Sequence, residues 1–409
     1  MTNRIFGILA TLLILLSLLF ALRTVLSDGA AARTGDLTGP LLVWHSWSGA
    51  RAEILAQSKT KFEELHPGLR VVLVAHPRDE LYARYAAATA NGFGPDLLVA
   101  PGEWLMKMLA DDLIRPVDTA VEAQSIRWLR EDTRRSLRSK DRLYGLPFGL
   151  RTQALFYNKK LVEQPAVTLD DLLAQAGAGA GVGIGSSFES ALWGLGASGG
   201  HLYDDKGAII VDVPGFTSWL TWLRNAQNNP AFVMGTNQDG LRELFVKGDL
   251  SYLVDDSDAV RLLASQMQTG TLAIRALPSG VGGAATPLLR TEAFFFSPVS
   301  SPRQKQTANA LALFLVGKEQ QTLLMRWAGL TPTHQDVRIN IRLNPEIYAF
   351  ALQAKTAIPW TDDPLLTWLL TTGDKTYVQA LEGVLTPNEA ANELAVEMAS
   401  KQKETEQQP

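Results

Sequence analysis

The region from Leu41 to Ala100 alternates short apolar runs with helix-like segments, and this alternation constrains the fold more than any other feature of the chain. In chain order the pattern is strand 41–45, helix 51–65, strand 69–76, helix 79–92 and strand 95–100. Within the first helix, Ile54, Leu55 and Phe62 fall on one face at helical spacing. A strand–helix–strand–helix–strand order predicts a largely parallel sheet with helices packed on its faces.

Tryptophan-bearing loops follow two of these predicted strands. Trp44 and Trp47 lie in the loop 44–49, and Trp104 lies in the loop 101–104. The carboxyl ends of parallel strands form the ligand-facing edge of such a sheet, so these loops emerge at that edge. Exposed indoles are costly, and these rings either fill a core or form a surface on which a ligand stacks.

The remaining segments continue the alternation of helices and strands. Strands are predicted at residues 154–158, 251–254 and 292–298, and helices at 187–196, 214–228, 239–247 and 307–327. A polar turn at residues 255–258 follows the strand 251–254, and a helix opens after it. No internal repeat is visible.

The composition excludes several classes of function. The 409 residues are 46% hydrophobic and 20% charged, with a net charge of −4, so nothing favours a nucleic-acid partner. There is no cysteine, which excludes disulfides and thiolate metal sites. The five histidines, His45, His66, His76, His201 and His334, are scattered. We expect neither a metal ion nor a cofactor.

The N-terminus predicts export. Residues 5–22 form an uncharged apolar run of 18 residues after Arg4, long enough to cross a bilayer as a helix. A cleavage site is available at Ala30–Ala32, ten residues beyond the run. The sequence leaves open whether this segment is a retained membrane anchor or a signal peptide that is removed. In both cases the main body lies outside the cytoplasm, in the periplasm or at the cell surface.

The order of several motifs resembles one known family. The motifs are "KFEELHPGLRV", "GPDLLVA", "YGLPFGLRTQALFYNKKL", "LFVKGDLSYLVDD", "FFFSPVS" and "WAGLTPTH". In this order they resemble the extracellular solute-binding proteins of ABC importers, in the branch of the maltose-binding protein, from about residue 41 to residue 398. The resemblance implies a monomer with two α/β lobes, each a mainly parallel sheet flanked by helices, which close on a hinge over a small ligand. It also implies a membrane permease as partner and no catalysis.

The resemblance implies a division of the chain. Residues 1–25 are the anchor or signal segment and residues 26–40 a linker. The first lobe comprises residues 41–148 and 291–335, and the second lobe residues 149–290 and 344–409. Crossings between lobes are expected near residues 147–152, 287–294 and 337–343.

Ten residues are candidates for contact with a ligand, most naturally a mono- or oligosaccharide. They are Trp44, Trp47, Trp104, Arg151, Glu189, Asp255, Asp256, Asp258, Trp360 and Trp368. Sugars expose apolar ring faces and hydroxyl groups, so indoles combined with carboxylates and arginine suit them. By resemblance, Trp47 and Trp104 lie on ligand-facing loops and Trp368 stands where the family has a sugar-stacking tryptophan.

Some of these candidates have alternative roles. Arg151 stands where the maltose-binding protein has a cleft carboxylate, and it either bonds the ligand or is a solvated hinge residue. The three aspartates at 255, 256 and 258 either face the ligand or cap the following helix. Trp44 and Trp368 are also compatible with core positions.

Two other functions compete with solute capture. A glycoside-active enzyme needs a pair of carboxyl groups across one bond, and no spacing among Glu103, Glu189, Asp255, Asp256, Asp362 and Asp363 selects such a pair. A membrane-anchored ligand sensor or adaptor of the same fold is the other alternative, and a retained anchor would favour it.

Overall fold

The computed structural model describes residues 37–407, except Thr236 and Asp362. The predicted apolar segment 5–22 and most of the predicted linker lie outside the described residues. In the part of the chain that is described, no helix has both the length and the apolar character needed to cross a bilayer.

The strands and helices are named here in chain order. The strands are β1 (Gly39–His45), β2 (Leu69–Ala75), β3 (Leu97–Pro101), β4 (Arg138–Ser139), β5 (Arg142–Leu143), β6 (Gly145–Arg151), β7 (Gln153–Asn158), β8 (Val182–Gly185), β9 (Phe232–Gly235), β10 (Tyr252–Asp256), β11 (Leu272–Arg275), β12 (Leu288–Phe296), β13 (Thr331–Pro332) and β14 (Ile358–Pro359). The helices are α1 (Gly49–Leu65), α2 (Arg78–Ala90), α3 (Leu105–Ala110), α4 (Thr119–Trp128), α5 (Glu131–Arg135), α6 (Leu169–Gly177), α7 (Phe188–Ala191), α8 (Val213–Gln227), α9 (Gln238–Lys247), α10 (Ala259–Gln266), α11 (Pro302–Val316), α12 (Lys318–Ala328), α13 (Pro345–Gln353), α14 (Pro364–Leu381) and α15 (Pro387–Gln407).

Two main sheets organise these elements, which confirms the two-lobed α/β prediction. The first sheet has the order β13-β6-β12-β3-β1-β2, with β14 paired to β12, and the second has the order β11-β7-β10-β8-β9. In the first sheet β1 is parallel to β2 and β3, whereas β12 is antiparallel to β3 and β6. The second sheet also combines parallel and antiparallel pairs. Both sheets are therefore mixed rather than mainly parallel: β12 runs antiparallel to its neighbours β3 and β6 in the first sheet, and β7 runs antiparallel to β10 and β11 in the second.

At one point the chain passes from the first sheet to the second within a single residue. Strand β6 ends at Arg151 and β7 begins at Gln153, so Thr152 alone separates a strand of one sheet from a strand of the other. The Thr152 hydroxyl donates to the carbonyl of Leu288 at 3.0 Å, and Leu288 pairs with Ile358 of β14. Residues 149–151 and 288–290 lie in strands of the first sheet, three residues beyond the division expected from the sequence.

Several local predictions need correction. The single helix predicted at residues 307–327 is two helices, because Gly317 has an extended ψ of 155° between them. Strand β10 runs on to Asp256, so the predicted polar turn 255–258 is shorter. The predicted helix 187–196 is a four-residue helix, α7, followed by 3₁₀ turns.

Each sheet has its own apolar core. The first core includes Phe148 and Phe294, whose ring centroids lie 4.4 Å apart. The second includes Trp193 and Trp219, with ring centroids 5.0 Å apart. Charged side chains from both lobes meet between these cores, and this region, which we call the cleft, is where the candidate site lies.

Candidate functional site

The register of two central strands places two arginines side by side. Arg151 at the end of β6 is opposite Arg290 of the antiparallel strand β12. Like charges directly opposite each other destabilise a sheet, so these guanidinium groups require anions nearby. Glu103 lies between them: its Oε1 is 2.7 Å from Arg151 Nη2 and 3.4 Å from Arg290 Nε.

Glu292 provides a second anion from the strand of Arg290. Residues two apart on a strand share a face, and Glu292 Oε1 is 3.0 Å from Arg151 Nε. The Arg151 side chain is only 9% exposed. Burial alone would lower the pKa of Arg151, but Glu103 and Glu292 outweigh it and hold that pKa well above its ordinary value.

The second lobe adds carboxylates from the end of β10 and from α7. Asp258 Oδ2 is 3.4 Å from Arg151 Nη1, and its Oδ1 is 3.0 Å from Nη2 of Arg51 on α1. Arg290 forms ion pairs with Glu189 and, at 3.8 Å, with Asp256. We call the group Arg51, Glu103, Arg151, Glu189, Asp256, Asp258, Arg290 and Glu292 the charged cluster. It joins both lobes.

Protonation in the charged cluster follows burial and the nearest guanidinium. Burial raises the pKa of Asp256 and of Glu292, although Arg151 opposes the shift in both cases. Burial would also raise the pKa of Asp258, but Arg151 and Arg51 reverse this and lower it below its ordinary value. Within the charged cluster, the pKa values of Asp256 and Glu292 are therefore shifted upward and that of Asp258 is shifted downward.

Asp255, one of the sequence candidates for ligand contact, lies outside the charged cluster. Its carboxylate is buried and takes two bonds from Arg242, at 2.7 Å to Nε and 2.9 Å to Nη2. Bonding to Asp255 raises the pKa of Arg242. The alternative role, capping of the following helix, applies to these aspartates only in part. Asp256 accepts a hydrogen bond from the backbone N–H of Asp258 at 3.1 Å. Asp258 precedes α10 but does not cap it through its side chain.

The first-lobe tryptophans pack against their own lobe. Trp47 is 7% exposed and meets Phe148 edge-on at 5.0 Å between ring centroids. Its backbone N–H donates to Nδ1 of the buried His45 at 3.1 Å, and burial lowers the pKa of that imidazole. One edge of Trp47 still lines a cavity that opens on the cleft. The ring of Trp47 therefore packs mainly into the core of the first lobe, and part of it lines this cavity.

Trp44 and Trp104 each pack against another aromatic ring of the first lobe. Trp44 belongs to β1 and packs edge-on against His76, with centroids 4.3 Å apart. Trp104 ends the 3₁₀ turn after β3 and packs edge-on against Tyr82, at 5.3 Å. The neighbouring residue in that turn, Glu103, is the one whose carboxylate enters the charged cluster.

The C-terminal tryptophans differ from each other. Trp360 follows β14, and its backbone N–H donates to the carbonyl of Leu289 at 2.9 Å. The Arg290 guanidinium lies 5.3 Å from the centroid of the Trp360 ring. Trp360 therefore lies at the charged cluster. Trp368 is on α14, partly buried against the second core.

Among the cavities between the lobes, one of about 290 Å³ includes Arg51, Asp258 and Arg261 in its lining, and two others are of interest. One, of about 320 Å³, is lined by Ser46, Trp47, Ser48, Arg51, Arg78, Asp258 and Arg261. The other, of about 570 Å³, includes Arg135, Tyr203, Ile358, Thr361 and Asp363 in its lining. Across the described part of the chain, no group of three or more histidine or acidic side chains is arranged to hold a metal ion.

The sequence prediction missed Arg51, Arg290 and Glu292, and named Glu103 only as a carboxylate for catalysis. One signal was available. The strand sequence "LLRTEAFFF" carries Arg290 and Glu292 two residues apart in an otherwise apolar run, which is the spacing of one strand face. Charged residues on one face of a buried strand require partners.

Comparisons with known proteins agree with this architecture. The sequence profile of the family described as "Bacterial extracellular solute-binding protein" matches residues 57–347. The maltotriose-binding protein of Pyrococcus abyssi (strain GE5 / Orsay) is 26% identical over 135 residues, which is 33% of this chain and 29% of that protein. The chain thus aligns with less than a third of the length of this relative.

Two solved structures share the fold along nearly their whole length. A cyclo/maltodextrin-binding protein complexed with maltotetraose superposes with a TM-score of 0.78 at 20% identity, covering 90% of this chain and 98% of the other. The maltose-maltodextrin binding protein of Alicyclobacillus acidocaldarius superposes with a TM-score of 0.72 at 20% identity, covering 88% of this chain and 100% of the other.

Proposed function

Because this chain belongs to the bacterial extracellular solute-binding protein family, we propose that it captures a carbohydrate in the cleft and delivers it to an ABC permease. Its family places it outside the cytoplasm. Tethering to the membrane by residues 5–22 and partnership with a permease are parts of this proposal.

The observation that carries the proposal is the convergence of charged side chains from both lobes. Arg51 and Arg151 from the first lobe each lie within ion-pair distance of Asp258 from the second, and Arg151 is also paired with Glu103. Glu103 Oε2 is buried and has no hydrogen-bond partner among the residues that the structure describes. Such an oxygen is an acceptor for a ligand hydroxyl, and forked guanidinium groups bond pairs of oxygens.

The proposed contacts are a revised set of the sequence candidates. We assign Arg151, Glu189, Asp256, Asp258 and Trp360 to ligand contact, with Trp47 at the edge. Trp360 beside Arg290 provides the indole face and the polar groups that a sugar ring requires together. Trp44, Trp104 and Trp368 are assigned to packing.

The relatives support a sugar as ligand. The names of the similar proteins describe binding of maltotriose and maltodextrin, and we extend this class to the present chain. We assign it no catalytic step, since these relatives are binding proteins. We propose two lobes that divide at Thr152, with residues 41–151 and 288–335 in the first lobe, and residues 153–287 and 344–409 in the second.

Calorimetry with the full chain in mild detergent, using maltotriose and a panel of mono- and oligosaccharides, tests the proposal. We expect saturable binding of at least one saccharide and a smaller radius of gyration in solution scattering when it binds. Binding of polyamines or amino acids alone would overturn the proposal. Turnover of a chromogenic glycoside would show an enzyme instead, and sugar uptake that persists without the protein would favour a sensor.

A further inference from the structure

A cavity at the edge of the cleft is rich in arginine. It has a volume of about 320 Å³. Ser46, Ser48, Arg51 and Arg78 line it from the first lobe, and Asp258 and Arg261 line it from the second. Three guanidinium groups thus face a space that contains one carboxylate.

The positive charge of this cavity is only partly compensated. Asp258 pairs with Arg51 at 3.0 Å and also with Arg151 of the charged cluster. Among the residues that the structure describes, neither Arg78 nor Arg261 has a carboxylate within the 4.0 Å of an ion pair. Arg261 Nη2 instead donates to the carbonyl of Trp327 at 2.6 Å. Burial and the neighbouring Arg51 lower the pKa of Arg261, as expected where like charges are close.

The first turn of α1 adds to the same potential. The helix begins at Gly49, Ser48 does not cap it through its side chain, and its first turn contains no acidic residue. Backbone N–H groups at the start of a helix carry partial positive charge. Ser46 and Ser48 line the same cavity, and a serine hydroxyl can donate a hydrogen bond to an anion.

We propose that this cavity binds the oxyanion group of an acidic saccharide: a carboxylate, phosphate or sulfate carried by the sugar that occupies the cleft. This inference rests on the proposed function and specifies its ligand. Guanidinium groups match the spacing of two oxyanion oxygens. Because Arg51 and Arg78 belong to the first lobe and Arg261 to the second, an anion held by all three draws the lobes together.

The chemistry of the charged cluster is the reason to choose an acidic rather than a basic sugar. Its carboxylates are engaged by Arg51, Arg151 and Arg290, whereas the arginines that remain without a carboxylate line an open cavity. A basic group would meet a net positive wall there. The excess of guanidinium favours an anionic ligand.

The test compares four sugars that share one ring and differ at carbon 6: glucose, glucuronate, glucose 6-phosphate and glucose 6-sulfate. Each is titrated into the full chain in mild detergent by calorimetry, together with maltotriose. We expect at least one acidic sugar to bind at least tenfold more tightly than glucose, with affinity that falls as salt is added. The acid that binds best identifies the source of the oxyanion.

Two variants locate the binding. Arg78→Gln and Arg261→Gln, both at exposed positions, are expected to weaken binding of the best acidic sugar at least fivefold. Arg84→Gln changes an exposed arginine on the same helix as Arg78, outside the cavity, and should leave that affinity unchanged. Melting curves verify that all three variants are folded.

The outcomes separate the two proposals. If glucose or maltotriose binds at least as tightly as every acidic sugar, the inference is overturned and the proposed function stands. If acidic sugars bind but Arg78→Gln and Arg261→Gln have no effect, the anion lies elsewhere and the inference is also overturned. If no saccharide binds, the proposed function fails, and the inference fails with it.

Discussion

Arg151 and Asp258 meet across the boundary between the two sheets, with Nη1 of the arginine 3.4 Å from Oδ2 of the aspartate. Asp258 is also paired with Arg51 of α1 at 3.0 Å. One carboxylate of the second lobe is therefore shared by two guanidinium groups of the first. This relationship ties the relative position of the lobes to the charge of the cleft.

Replacing that carboxylate should loosen the contact between the lobes. In Asp258→Asn, Arg51 and Arg151 lose their shared anion and repel each other. We expect a larger radius of gyration in solution scattering of the ligand-free protein, and about tenfold weaker sugar binding, or roughly 1.4 kcal/mol. Asp239→Asn is the matched control, because Asp239 is 79% exposed and pairs with Arg242 within the second lobe. Equal scattering curves for the two variants would contradict the prediction.

Trp47→Ala should destabilise the fold rather than only weaken binding. The indole is 7% exposed and packs on Phe148, so truncation leaves a cavity that costs about 3–5 kcal/mol of unfolding free energy. Urea denaturation measures this loss. Trp327→Ala is the control, since its side chain is 65% exposed and surface changes stay within about 0.5 kcal/mol. Loss of sugar binding at unchanged stability would show instead that Trp47 is a stacking surface.

Glu292→Gln should change how stability depends on pH. Burial raises the pKa of Glu292 above its ordinary 4.5, so the folded chain holds this proton more tightly than the unfolded chain. Stability from this group is then present at and below pH 4.5 and is lost as the pH rises through the raised pKa. The groups around Glu292 include Arg151, Glu103 and Asp258. As the pH rises from 4.5 through the raised pKa, we expect Glu292→Gln to lose less unfolding free energy than the parent protein. Urea titrations at successive pH values measure this difference.

Asp171→Asn should change the pH dependence of stability in the opposite direction to Glu292→Gln. The backbone N–H and the hydroxyl of Thr168 hold the pKa of Asp171 below its ordinary 3.8. Its stabilisation is therefore present above that value and is lost as the pH falls through the lowered pKa. This variant should lose stability at neutral pH and approach the parent protein in acid. If unfolding free energy depended on pH in the same way in both variants and in the parent, the pKa shifts of Glu292 and Asp171 would be contradicted.

Gly102→Ala should disturb the turn that carries Glu103. A Cβ atom there would lie 2.2 Å from the Thr291 hydroxyl and 3.1 Å from a methyl group of Leu137. We expect a loss of about 1–3 kcal/mol of unfolding free energy, as for overpacked sites. Gly177→Ala, where nothing lies within 4 Å of the new atom, should cost nothing and gain up to about 1 kcal/mol from helix propensity. Equal melting temperatures for both variants would argue against the close approach.

The order of strands and helices was accessible from the sequence because it depends on local periodicity. Residues 51–65 and 79–92 were predicted as helices and are α1 and α2 to within two residues. The break at Gly317 was missed, since the apolar spacing on either side continues as if one helix were present. Strand direction was missed as well, because the antiparallel entry of β12 depends on where the chain returns from the other lobe.

The candidate site was less accessible because its contacts join distant residues. Asp255 and Arg242 pair across 13 positions, and Arg151 and Asp258 across 107. Nothing local distinguishes a paired Asp255 from its neighbours Asp256 and Asp258. Trp104 and Glu103 are adjacent, and only the path of the 3₁₀ turn after β3 decides which of the two side chains reaches the cleft.

Arg151, which we propose contacts the ligand, is separated from the second sheet by Thr152 alone. Any bending there rotates the end of β6, and the Arg151 side chain rotates with it because no flexible spacer intervenes. Under the proposed function, a ligand bound to this guanidinium would therefore act directly on the link between the two sheets. We expect the movement of Arg151 on ligand binding to reach β7, the next strand along the chain, through Thr152 alone.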